Sequence, residues 1–243
     1  MKYSIIIPYR NREKHLEVLL PRLMEVCSSL DYEIIISEQA DADNFRIACV
    51  ENIGATVATG DILIFNQVDY IPTDDVSYTD GSPFRPAKRG IFLTEDMTAE
   101  RPVEDIPGGY RSWREQIPHN FFGGVLVLSR EHFEKVNGYN PMYKGWGNED
   151  EDMRGRIILA KLPVIHGTGT FYILHHSDNG NIDSVKEPQK FVDYIEGRKM
   201  CRLYMQDYLH VGYKNLTADT DVFNLEGYTN VKWIKSKNYK ITI

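Results

Sequence analysis

Three short β-branched runs, each leading into a turn and two of them on into a helical spacing, constrain the fold of this chain more than any other feature. SIIIPYR at residues 4–10 is checked by Pro8, and NREKHLEVLLPRLMEV behind it spaces leucines and valines at helical intervals, interrupted by Pro21. YEIIISE at 32–38 predicts a second buried strand, FRIACVENIGATVA at 45–58 a helix, and DILIFNQVD at 61–69 a third strand ending in an acidic turn. Strands that alternate with helices predict an α/β fold with a mostly parallel central sheet and helices on both faces.

Residues 79–120 are rich in proline, glycine and charge, and only RGIFLTE there has strand character. The rest reads as a long loop, a kind of segment that is usually functional or mobile. FFGGVLVLS at 121–129 returns to strand, EHFEKVNGY predicts a short helix, and the acidic run at 149–152 opens another. A helix is expected near 187–209, and VKWIKSKNYKITI closes the chain as part of a strand-rich tail. No internal repeat or low-complexity linker divides the 243 residues, so a single domain is expected.

The net charge of −7 argues against nucleic acid or an anionic membrane surface as partner, and an anionic ligand would need a local basic pocket. Cys27, Cys49 and Cys201 are widely spaced, odd in number and without a CxxC pair, which predicts reduced, structural thiols. No segment approaches the roughly 18 apolar residues of a membrane span, and Met1 leads directly into a strand. A soluble, cytoplasmic chain is the expectation.

In open α/β sheets, ligands bind beyond the carboxyl ends of the strands. YRNR follows the first strand, QVDY the third, and FFGG opens the later one. Arg10 and Arg12, just past Pro8, could clamp a phosphate or a nucleobase edge, or form a solvated charged turn. Asp69 could hold a divalent metal against a diphosphate, or serve as a turn former. His175 and His176 follow the apolar run FYIL, and with Asp69 they would suit Mn²⁺ or a similar cation.

GWGNEDED at 145–152 places Glu149, Asp150, Glu151 and Asp152 side by side. In the first turn of a helix these carboxylates are favoured by the backbone N–H groups and the macrodipole, with Asp150–Arg154 and Asp152–Arg156 as i,i+4 pairs. That leaves Trp146 unexplained, a large aromatic between glycines and so an exposable, mobile element. Successive helical residues turn by about 100°, so at most two of the carboxylates can face a ligand.

IIIPYRNREKHL, FRIACVENIG, FNQVDYIPTDD, FFGGVLVLSREHFEKVNGYN, GWGNEDED, HHS, EPQKF and NLTADTDVF follow one another along the chain. With these motifs the sequence resembles the β-1,4-galactosyltransferase family of inverting, metal-dependent glycosyltransferases over nearly its full length, apart from roughly 80–120. The resemblance implies a GT-A-like fold in a single domain over 1–243, with a donor-binding half over about 1–78, a variable loop over about 80–120 and an acceptor and catalytic half over about 121–243. It implies that Pro8, Tyr9, Arg10 and Arg12 line a uridine and diphosphate pocket with Phe45 and Val68 nearby. Asp69 matches the family's metal-binding carboxylate and His176 its metal-binding histidine; Ile173 stands where a further ligand is usual, and His175 can substitute.

By the same resemblance, Gly123 and Gly124 let the donor sugar approach the backbone, and Trp146 is the lid over donor and acceptor. Asp150 matches the catalytic base, with Glu149 and Glu151 at neighbouring sugar-contacting positions. Phe121, before FGG, is a bulky aromatic that favours galactose over N-acetylgalactosamine, while Phe191 and Tyr194 fall where the acceptor's N-acetyl group packs. The implied activity is Mn²⁺-assisted, inverting transfer of galactose from UDP-galactose to an N-acetylhexosamine-terminated glycan. The alternatives are the same machinery with UDP-N-acetylgalactosamine, or a carbohydrate-binding relative without turnover.

Overall fold

The computed structural model describes residues 1–106, 108–145, 147–174 and 210–242. In chain order its strands and α-helices are β1 (Lys2–Tyr9), α1 (Glu13–Val26), β2 (Asp31–Gln39), α2 (Ile47–Val57), β3 (Ile62–Asn66), β4 (Tyr70–Pro72), β5 (Phe84–Phe92), β6 (Val125–Ser129), α3 (Arg130–Lys135), α4 (Glu149–Leu159), β7 (Ile165–Ile173), β8 (Leu216–Asn224) and β9 (Val231–Ile241). The strands form one sheet in the order β4-β7-β5-β6-β3-β1-β2-β9-β8.

The repeating strand–helix units give the parallel part of that sheet, in which β3, β1, β2 and β9 all run the same way. Strands joined or inserted differently make the sheet mixed: β6 is antiparallel to β3, β4 to β7, and β8 to β9 across the short connection at 225–230. Helices cover both faces, as the alternation predicts. Along β1, Ile5 and Ile7 meet Leu16, Leu19 and Leu23 of α1, whereas Ile6 points to the opposite core with Ala48 and Cys49 of α2, Phe133 of α3 and Met153 of α4. Ile5, Ile6 and Ile7 are all fully buried, which is why the strand reads as a continuous apolar run; each such side chain contributes about 1.5–3 kcal/mol.

Pro21 does not interrupt α1. It lies on the exposed side, while Leu16, Leu19, Leu20 and Leu23 are buried on the other, and burial of that stripe outweighs the loss of one helical hydrogen bond. The segment expected to be mostly loop contains β5, which lies inside the sheet between β7 and β6 and begins five residues before RGIFLTE. Pro86 and the exposed Lys88 and Arg89 hide this strand from its sequence. Register shifts against β7 between Arg85 and Ala87, and again before Arg89, accommodate the proline's missing N–H.

Cys27 and Cys49 are buried free thiols, and burial pushes both up to about 12, in keeping with structural roles. Cys201 and the helix expected near 187–209 lie outside the described residues. Among the described residues, no helix is long and apolar enough to cross a membrane.

Candidate active site

Because β6 runs antiparallel to β3, with Asn66 opposite Val125, the residues that open β6 stand at the carboxyl end of β3. The Gln67 N–H donates to the Gly124 carbonyl at 2.9 Å and closes this junction. Asp69 follows in the β3–β4 turn and is buried. Its carbonyl accepts from the Leu174 N–H at 2.9 Å, extending the ladder in which Tyr70 faces Ile173. His175 and His176, the expected metal-binding histidines, lie outside the described residues. A carboxylate with imidazoles fits Mn²⁺ or a similar cation. Ile173, in the place of a further ligand, is buried in the core.

At the end of β1, Pro8 and Tyr9 are buried. The Tyr9 ring meets Trp233 of β9 edge-on at 5.2 Å, and burial, with the nearby Glu13 charge, pushes its hydroxyl up to about 12. Arg10 and Arg12 are half-buried, so neither is a freely solvated charge. The Arg10 guanidinium donates to the Asp43 carbonyl, and Arg12 Nη1 donates to the Asn11 carbonyl at 3.2 Å. Phe45 is half-buried and Val68 buried. The Phe45 carbonyl accepts from the Gly145 N–H at 3.0 Å, which ties Gly145 to the segment leading into α2. Trp146 itself lies outside the described residues, as do Phe191 and Tyr194.

The two glycines before β6 answer separate demands. Gly124 has φ +85°, and a Cβ there would lie 2.3 Å from the Tyr70 ring. A Cβ on Gly123 would lie 2.6 Å from Phe121 Cζ and 3.0 Å from Asp150 Oδ2, so only a bare backbone lets this carboxylate approach. Phe121 packs on Trp113 with ring centroids 4.7 Å apart, and Trp113 in turn meets Tyr110 and Phe92. Aromatic side chains of the expected variable loop thus brace Phe121. Arg85 of β5 is also buried; it donates to the Pro118 and His119 carbonyls and sits 5.4 Å from the Phe122 ring centre.

The acidic run divides along the helix. Asp152 and Arg156 are fully buried and ion-paired, as their spacing predicts, and Asp152 also accepts from the Tyr143 hydroxyl at 3.0 Å. Arg156 donates further to the Val136, Gly138 and Val211 carbonyls. Asp150 does not pair with Arg154 among the described residues, because it lies on the side of α4 that closes on Gly123. It shares a cleft with Glu149, Gly123, Gly124 and Gln67, in agreement with the limit of two carboxylates facing one ligand. Glu151 is exposed and does not line that cleft.

Burial, with the Asp150 charge next in weight, pushes the Glu149 carboxyl up to about 8. Asp150 is also raised by burial, while the Glu151 N–H at 2.7 Å and the Arg85 charge pull it back toward the ionised form. A third carboxyl, Glu51 of α2, lines the same cleft and is held well above the usual range by burial and by these two neighbours. Sequence reasoning missed Glu51, Arg85 and Trp113. The one available signal was Glu51's place inside an otherwise apolar helical stretch.

Residues 1–80 match the family model described as the N-terminal region of glycosyl transferase group 7, and residues 110–177 match one described as the N-terminal domain of galactosyltransferase. β-1,4-Galactosyltransferase 4 of Cricetulus griseus is 33% identical over 234 residues, which cover 90% of this chain and 63% of that protein. A β-N-acetyl-D-glucosaminide β-1,4-N-acetylglucosaminyl-transferase of Lymnaea stagnalis is 34% identical over 188 residues, covering 74% of this chain and 35% of the snail protein. The chain therefore spans less than two thirds of the length of either relative. A solved structure of a Drosophila β-1,4-galactosyltransferase 7 mutant, in complex with manganese, UDP-Gal and xylobiose, aligns with a TM-score of 0.71 at 23% identity, covering 100% of this chain and 94% of that one. That likeness shows the GT-A fold. The two family matches take in the ends of β1 and β3, the FFGG opening and GWGNEDED, and the chain belongs to the β-1,4-galactosyltransferase family.

Proposed function

We propose that this chain is an inverting, UDP-galactose-dependent β-galactosyltransferase that extends an N-acetylhexosamine-terminated glycan. The observation that carries the reading is the approach of Asp150 Oδ2 to the bare backbone of Gly123, at the mouth formed by β3, β6 and α4. Burial raises this carboxyl, which makes its ionised form a stronger proton acceptor near neutral pH. As the acceptor oxygen attacks the anomeric carbon, its proton passes to Asp150 and the bond to the diphosphate breaks on the opposite face. One such displacement turns an α-linked UDP-sugar into a β-glycoside.

Arg10 and Arg12 at the end of β1 supply fixed cations for the charge that gathers on the departing UDP, and Tyr9, Phe45 and Val68 border the nucleotide. A divalent cation held by Asp69 with His176, and with His175 beside it, would add Lewis-acid stabilisation of the leaving diphosphate. Glu149, whose carboxyl keeps its proton over much of the neutral range, offers a hydrogen bond to a sugar hydroxyl. In this reading Trp146 covers donor and acceptor, Phe191 and Tyr194 pack the acceptor's N-acetyl group, and Glu151 contacts sugar at the rim. Phe121, braced by Trp113, selects galactose by bulk.

Similarity to the snail N-acetylglucosaminyl-transferase supports a second reading, in which the same machinery takes a 2-acetamido sugar donor. A donor screen by UDP release with an N-acetylhexosamine acceptor separates the two. UDP-galactose is expected to react fastest, with turnover abolished by chelation and restored by Mn²⁺. No UDP release from any donor would contradict the proposal and favour a carbohydrate-binding relative. Asp69→Ala is expected to weaken Mn²⁺-dependent UDP binding by at least about tenfold; unchanged affinity would remove Asp69 from the metal site.

A further inference from the structure

Glu51 belongs to a helix that carries none of the strand-end motifs, yet its side chain enters the cleft of Glu149, Asp150 and Gly123. It is 3% exposed, and its Oε2 has no hydrogen-bond partner among the described residues. Oε2 of Glu149, 9% exposed, is in the same condition. Buried polar atoms are ordinarily satisfied, and this chain satisfies comparable carboxylates elsewhere, as Asp152 shows with Arg156 and Tyr143. Phe65 and Leu126 line the same cleft wall, so an apolar residue at 51 would have apolar neighbours.

No contact among the described residues calls for a carboxyl at this position, and such a group is met from outside the chain, by water or by a ligand that displaces it. Among the described residues no three His, Cys, Asp or Glu side chains are placed to share a metal ion, so these carboxyls do not form a cation site of their own. A sugar offers several hydroxyls in fixed geometry, each able to donate and to accept. Burial keeps Glu51 protonated over a wide range, with Glu149 and Asp150 adding to the effect, so a pair of carboxyls can present both a donor and acceptors to a hydroxyl.

Resting on the function proposed above, we propose that Glu51 is a further substrate-binding residue, which together with Glu149 hydrogen-bonds the hydroxyls of the transferred hexose on the floor of the cleft. The test is calorimetric binding of UDP and of UDP-galactose, each with Mn²⁺, to the whole chain as wild type, Glu51→Gln and Glu51→Leu, alongside thermal melting. UDP affinity is expected to be the same in all three. The gain in affinity of UDP-galactose over UDP is expected to fall about tenfold in Glu51→Leu and less in Glu51→Gln, with the leucine variant melting no lower than wild type. An undiminished gain in both variants overturns the inference and leaves the proposed function standing. A matching loss of UDP affinity in Glu51→Gln also overturns it, because that would make Glu51 part of the framework. A wild-type chain that binds neither ligand overturns the proposed function and this inference together.

Discussion

Glu33 and Glu149 are both buried carboxylates, and their surroundings drive them in opposite directions. Burial alone would raise Glu33, but Lys232 Nζ at 2.7 Å, the Thr59 N–H and hydroxyl, and the Ser4 hydroxyl all donate to it and hold it at about 2. These partners come from β1, the α2–β3 connection and β9, so the charge ties three parts of the sheet together. Glu149 has the burial with only its own backbone N–H to offset it, its Oε2 has no partner among the described residues, it faces other carboxylates, and it rises to about 8. The same contrast recurs within GWGNEDED, where Asp152 is ion-paired three residues after Glu149, whose Oε2 has no partner among the described residues. Among the described residues the paired acids tie framework segments together, and the two acids with an unmet oxygen, Glu51 and Glu149, line one cleft.

The sharpest way to break this contrast is to orphan a framework acid. Among the described residues, Arg156→Met leaves Asp152 buried with Tyr143 as its remaining side-chain donor and removes the contacts to the Val136, Gly138 and Val211 carbonyls; a loss of about 3–5 kcal/mol is expected in denaturant unfolding. Glu33→Ala strands the Thr59 N–H and the Ser4 hydroxyl, but Lys232 and Lys2 can reach water, so about 2–3 kcal/mol is expected. A smaller cost for either would place the charge pairs among replaceable contacts.

The contrast also sets the pH dependence. A carboxyl raised in the folded state contributes stability that is fully present below its unfolded pKa and is lost as pH climbs through the folded one. For Glu149 that window runs from 4.5 to about 8, and Glu149→Gln is expected to flatten the decline there in melts taken across pH. Glu33 is depressed, so its contribution is present above 4.5 and is lost as pH falls toward about 2; Glu33→Gln should flatten only that acid limb. Exchange of these two effects between the variants would show that the assignments are reversed. The smallest effect is expected from Asp150→Ala on folding, which removes no pairing with Arg154 and should change stability by about 0.5 kcal/mol or less.

The strand ends and the division of the acidic run were legible because they depend on local periodicity. A 3.6-residue turn limits how many of four adjacent carboxylates share a face, and the Asp–Arg spacing of four offers two pairs, of which Asp152–Arg156 forms and Asp150–Arg154 does not among the described residues. β5, Arg85 and Glu51 depend on distant segments and were not legible. Pro86 disguises a strand that only its pairing with β7 and β6 stabilises. Glu51 stands out only as a charge in an apolar helix until β6 and the start of α4 are known to meet it, with Leu126, Glu149 and Asp150 lining the same cleft. Trp113 acts through Phe121, a contact no spacing within the chain could announce.

If the cleft acids serve the ligand and Asp150 is the base among them, Asp150→Asn separates binding from chemistry. Turnover of UDP-galactose with a saturating N-acetylhexosamine acceptor is expected to fall by about 10²–10⁴-fold, while Mn²⁺-dependent UDP affinity stays within about twofold of wild type. Near-normal turnover in a variant that still binds UDP would contradict the assignment of the base at Asp150.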